Sequence, residues 1–151
     1  MRKKVLTKGL LVLLLVFILI LFSSGTGSEG IVKNALCKRT NTMNDFYLGK
    51  LTYQEACEKL SEIEQGRLLD DDRNSLKSFF GTDIEEVVGY DVRDIVIHYE
   101  DEEVICAFLS VEWQVNGADG LYRDSDLQKI VGNYSVILEK SDNIFKFVQF
   151  Y

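Results

Sequence analysis

The sequence predicts an α+β domain behind an N-terminal transmembrane helix, with about three helices packed on an antiparallel sheet of about four strands. Three observations carry that expectation. Leu10 to Phe22 is an unbroken apolar run preceded by Arg2, Lys3, Lys4 and Lys8. Between Ile31 and Phe80, apolar residues recur three or four positions apart, the spacing of a helix face. Past Gly89 the period drops to two, the signature of strands with one buried face.

The 151 residues, 46% hydrophobic and 27% charged with no proline, suit one ordinary domain and exclude a collagenous, disulfide-dense or low-complexity chain. The net charge of -7 averages two unlike parts. Four of the 17 basic residues precede position 29 and all 24 acidic residues lie from Glu29 onward, which leaves the remainder with 13 basic against 24 acidic side chains, a net -11. So acidic a surface argues against nucleic-acid binding, which draws on clustered Lys and Arg.

Residues 1–8 read as a basic cytoplasmic tail, because positive charge ahead of an apolar helix keeps that end inside. Residues 9–24 then form a transmembrane helix or signal segment. Thirteen uninterrupted apolar residues match a signal core, yet the 20-residue window from Val5 to Ser24 holds a single charge, Lys8, whose stem can snorkel to the interface. We expect a retained anchor, with cleavage at Gly25 or Gly27, and therefore secretion, as the rival outcome. Residues 25–30 form a linker in the Gly/Ser stretch from Ser23 to Gly30, whose eight residues reach roughly 15 Å. An acidic extracytoplasmic domain at residues 31–151 is thereby held close to the bilayer.

Within residues 31–50, Ile31, Ala35, Leu36, Met43, Phe46 and Tyr47 mark a first helix, with Asn41, inside a polar interlude, as the place where it would break. Thr52-Tyr-Gln-Glu55 is a capping box: the Thr52 hydroxyl accepts from the Glu55 amide, and the Glu55 carboxylate accepts from the Thr52 amide. A second helix follows on Tyr53, Ala56, Cys57, Leu60 and Ile63, with Gly66 placed for a left-handed end. Asp70 or Asp71 would cap a third, short helix in which Leu76, Phe79 and Phe80 supply the buried face and Gly81 the stop.

Residues 92–99 alternate as a strand, and Glu100-Asp-Glu-Glu103 makes a charged turn. Ile105, Ala107, Leu109, Val111, Trp113 and Val115 then occupy six consecutive odd positions, which sets one face of a long strand fully in the core. Residues 122–128 read as a loop or ragged edge strand. Residues 132–140 and 144–151 close a hairpin at Ser141-Asp-Asn143.

Few groups invite chemistry. His98 is the sole histidine, and Asp94, four positions away on the same strand, lies roughly 13 Å along it, too far to orient the ring. Cys37, Cys57 and Cys106 are odd in number; Cys37 and Cys57 could pair across adjacent helices, or all three stay as largely buried thiols. Cys106 as a nucleophile would need His98 across a strand pair, beside an acidic turn that opposes a thiolate. Asp70-Asp-Asp72 and the segment from Asn116 to Asp126 lack the ligand spacing of a calcium loop and read as a helix cap and a solvated turn. No catalytic, cofactor-binding or metal-ligating residue is assigned, no cofactor is expected, and the chain is not expected to be an enzyme. The remaining functional surface is aromatic: Phe145, Phe147, Phe150 and Tyr151 with Trp113 and Phe108, one face of which is core and the other extra core, an interface or a ligand pocket.

The phrase Phe46-Tyr-Leu-Gly-Lys-Leu-Thr-Tyr-Gln-Glu-Ala56, the alternating strand ending at Trp113, Tyr134-Ser-Val-Ile-Leu-Glu-Lys140 and Phe145-Lys-Phe-Val148 together resemble the nuclear-transport-factor-like, or cystatin-like, cone. That resemblance covers residues 31–151 and implies a strongly curved sheet. A basic tail, one membrane helix and one such domain is similar to the bitopic scaffold subunits of type IV secretion and conjugation systems. It implies a non-enzymatic scaffold or accessory protein of a cell-envelope machine, in contact with the membrane and with other envelope proteins or further copies of itself. An exported small-ligand-binding or enzyme domain of the same fold is the alternative, since fold alone does not set function.

Overall fold

The computed structural model describes residues 27–81, 86–116 and 128–151. The basic tail, the apolar segment, residues 82–85 and residues 117–127, which take in most of the expected loop or edge strand, lie outside them. Among the described residues no helix is long and apolar enough to cross a membrane.

Helix α1 spans Ser28–Tyr47 without a break and takes in the last three linker residues. The polar interlude stays helical because Arg39, at its centre, finds two carboxylates on the core side of the helix. Helix α2 spans Tyr53–Ser61 and starts on the capping box as expected, with both reciprocal hydrogen bonds formed. Lys146 Nζ donates to the Ser61 carbonyl at its other end, where cations are favoured.

Helix α3 spans Gly66–Ser78 with Gln65 as its N-cap, five residues ahead of the expected Asp70, and it ends before Phe79 and Phe80, which are exposed instead of lying on its buried face. Gly66 does adopt a positive φ of 63°, but it opens α3 instead of closing α2. The cause is long-range. Past the turn that ends α2, Glu64 bridges the last strand in parallel: the Phe147 amide donates to the Ile63 carbonyl and the Gln65 amide to the Phe147 carbonyl. Fixed there, the chain can re-enter a helix at once.

Four antiparallel strands follow in meander order: β1 Glu86–Glu100, β2 Val104–Asn116, β3 Gln128–Ser141 and β4 Ile144–Phe150. β1 begins six residues earlier than its alternation suggested, because register shifts at Val88, Arg93 and His98 interrupt the period; such bulges bend and twist a strand without ending it. The turn to β2 is held by the Asp101 carboxylate, which accepts from the Glu103 and Val104 amides. The β3–β4 turn puts Asp142 and Asn143 at φ 52° and 63°, the left-handed pair of a two-residue hairpin.

The helices cover one face of the sheet. Val32, Ala35 and Leu36 of α1 are buried against Ile105, Leu109, Leu138 and Phe147, and a second cluster of Phe46, Ala56, Leu60, Ile63 and Leu76 joins the three helices. Five of the six odd positions of β2 are buried as expected. Trp113 is only partly so.

Candidate functional site

Trp113 departs from its neighbours because the second half of α1 does not close on the sheet there. A cavity of about 370 Å³ lies between them. Met43 and Tyr47 of α1, Phe79 after α3, Val87 of β1 and Trp113 form its apolar walls. Arg39, Thr40 and Asn44, each one turn of α1 from another lining residue, supply the polar ones.

The indole is fixed from behind. Its Nε1–H donates to the Tyr134 hydroxyl at 2.8 Å, with the Tyr134 ring edge-on and the Tyr90 ring 5.6 Å away. Gly132, two residues before Tyr134 on the same face of β3, leaves the space that the tyrosine occupies; a Cβ there would collide with the phenol. Tyr134 in turn packs on Phe150, whose ring carries the Arg39 guanidinium 4.7 Å from its centroid.

Arg39 closes the inner end. Its Nε donates to Glu64 Oε1 at 2.7 Å, and its Nη2 to Asp72 Oδ2 at 2.5 Å. Glu64 has no exposed surface, and its second oxygen, Oε2, has no hydrogen-bond partner among the described residues. Burial pushes the Glu64 carboxyl up to about 8; the Asp72 charge pushes the same way, while Arg39 opposes both. At neutral pH Glu64 is therefore mostly a neutral acid, and Asp72 is the counter-ion of Arg39. Burial and the same Asp72 charge raise the Tyr47 phenol. Sealed from solvent, Glu64 holds α1, α3 and the bridge to β4 together.

The residues singled out in the sequence are scattered. His98 sits at a bulge with its ring edge-on to Phe108, 4.4 Å between centroids, and makes no hydrogen bond to Asp94. The bulge also sets Tyr99, not His98, opposite Cys106, so the cross-strand Cys–His contact does not form. Cys37, Cys57 and Cys106 are free thiols, half-buried instead of largely buried, and Cys37 and Cys57 are not paired. Asp70-Asp-Asp72 caps nothing: Asp70 and Asp71 ion-pair within α3 to Arg73 and Arg67, and Asp72 points inward to Arg39. Most of the segment from Asn116 to Asp126 lies outside the described residues. Among the described residues no three His, Cys, Asp or Glu side chains are grouped to hold a metal ion.

The aromatics divide by face. Trp113, Phe145, Phe147 and Phe150 are on the helix side. Among the described residues no element covers the other side of the sheet, and Phe108 is 50% exposed and Val96 44%, paired across β1 and β2. Tyr151 is exposed beside them, and Val131 is exposed further along the face, opposite Glu112. Asp94, Ser110, Asn133 and Ser135 fill the gaps, and Glu112 is buried here by ion pairs to Arg93 and Lys129.

No family model matches the chain, and no curated protein matches it. Among solved structures, the intermembrane-space region of the chloroplast protein ARC6 is similar at a TM-score of 0.46 and 13% identity, over 80% of this chain and 92% of that one. A likeness that distant bears on neither fold nor function.

Proposed function

We propose that the chain is a single-pass membrane protein whose α+β domain works outside the cytoplasm as a non-enzymatic contact module of a cell-envelope machine, of the kind built for conjugation or type IV secretion. The uncovered sheet face is the observation that carries this reading. An antiparallel sheet that faces only water alternates to polar residues on that side. Here Val96 and Phe108, paired across β1 and β2, stand there half-exposed instead, with Tyr151 beside them. Contiguous exposed apolar surface rimmed by polar residues marks protein contacts. The rim next to Phe108 carries Asp94, the Arg93 and Lys129 charges further along are both taken up by Glu112, and the exported part is strongly acidic. The occupant is accordingly a different protein with a basic-rimmed apolar patch, since a second copy would set like charges face to face. The basic N-terminus and the apolar run from Leu10 support the anchor.

The test is a photo-crosslinking residue at position 108 of the full-length, membrane-inserted chain, with one at Lys77 on the far side of α3 as control. Position 108 should give one defined heterologous adduct that position 77 does not, and Phe108→Glu should abolish the function of the assembly with little change in melting temperature. A homodimer adduct would overturn the choice of partner, and no adduct in intact cells would overturn the contact role. A mature N-terminus at Thr26 or Ser28 would replace the anchor by secretion.

A further inference from the structure

We propose that the cavity between α1 and the sheet binds a small, uncharged, largely aromatic molecule. It lies on the helix side, opposite the contact face, so the two proposals stand or fall separately. Its volume, about 370 Å³, falls at the lower end of the range of sites for small organic ligands. One wall is an indole held in position before any ligand arrives, by its hydrogen bond to Tyr134 and by the room left at Gly132. Such pre-organisation spares a ligand the cost of ordering the site.

Charge selects the class. Arg39 is the cationic residue of the lining, but its Nε and Nη2 already serve Glu64 and Asp72. With Glu64 mostly protonated, Arg39 and Asp72 neutralise each other, so an anion gains little from the guanidinium and meets the Asp72 field behind it. What the lining does offer is neutral. Thr40 and Asn44, half-buried and one turn apart, have no side-chain hydrogen-bond partner among the described residues. Half-buried polar groups left unmatched favour a ligand that brings a donor or acceptor without a charge. Met43, Tyr47, Phe79, Val87 and Trp113 call for flat apolar surface around that group.

The test uses 2-naphthamide and 2-naphthoate, which share a ring system and differ in charge. The chain has one tryptophan, so the indole N–H resonance of full-length, isotope-labelled protein in lipid nanodiscs reports on this wall alone. The amide should shift that resonance saturably, with a dissociation constant of about 1 mM or below, and the carboxylate should bind at least tenfold more weakly. Met43→Phe, which fills the cavity, should remove the response, and Asn44→Leu should weaken it several-fold, each with the rest of the spectrum preserved. Equal or tighter binding of the carboxylate would overturn the assignment. So would a shift that does not saturate, or one that survives in Met43→Phe.

Discussion

Helix α1 meets the sheet twice, in two different ways. Over its first half, Val32, Ala35 and Leu36 are buried against β2, β3 and β4. Over its second half, Thr40, Met43, Asn44 and Tyr47 stand across an open cavity from Val87 and Trp113. The helix is continuous and the sheet is the same, so the difference lies in side chains. Closing the second half would bury Thr40 and Asn44 without partners, at a cost of about 1–3 kcal/mol each, comparable with the gain from burying the apolar groups beside them. Arg39 sits at the boundary. It needs Glu64 and Asp72 at its own depth, and they bring α3 up against α1 where the sheet would otherwise close.

Removing the boundary should give the largest effect. Arg39→Leu leaves Asp72 buried without its counter-ion and Glu64 without its donor, and loss of one partner from a buried ionic cluster costs about 3–5 kcal/mol. Chemical denaturation of the full-length chain measures it. If Arg39→Leu cost less than about 1 kcal/mol, the cluster would be a surface ion pair in energetic terms and no boundary at all.

Truncation on either side sharpens the contrast. Leu36→Ala in the closed half should destabilise by about 2–5 kcal/mol, through lost transfer energy and the void left behind. Met43→Ala deletes a similar side chain from a wall that already faces open space, so no new cavity forms and the loss should stay near 1 kcal/mol. Equal losses would mean that the two halves are packed alike.

How much of this was legible follows from the range of the interactions. The Thr52–Glu55 box and the Asp142-Asn143 turn are settled within four residues, and both are present where the spacing put them. The alternation of β2 was legible too, because a core face repeats every second residue whatever lies opposite. The start of α3 was not, since the bridge from Glu64 to Phe147 spans more than half of the described chain. Nor was the candidate site. Arg39, Glu64 and Asp72 stand 25 and 33 positions apart with no motif between them, and the polar interlude around Asn41 carries the same letters whether it breaks a helix or lines a cavity with it. The one local signal was Trp113, a bulky aromatic that needs a partner for its N–H, at the end of a run of smaller core residues.

The buried acid gives the boundary a dependence on pH whose sign is opposite to that of most carboxylates. Unfolded, Glu64 ionises near its ordinary value of 4.5; folded, buried between Asp72 and Arg39, it keeps its proton up to about 8. Below both values the group is protonated in both states and contributes no slope. Between them the folded state binds more protons than the unfolded one, so stability falls as pH rises, by at most about 1.4 kcal/mol per pH unit, and levels off above 8. Glu55 and Asp101 are shifted down by their hydrogen bonds, so their contribution is lost at acid pH, below this window. Glu64→Gln keeps the shape and the acceptor for Arg39 but cannot titrate. Denaturation midpoints from pH 5 to 8.5 should decline for the native chain and stay nearly flat for the variant; parallel curves would mean that Glu64 is ionised in the fold, and that two charges, not one, balance Arg39.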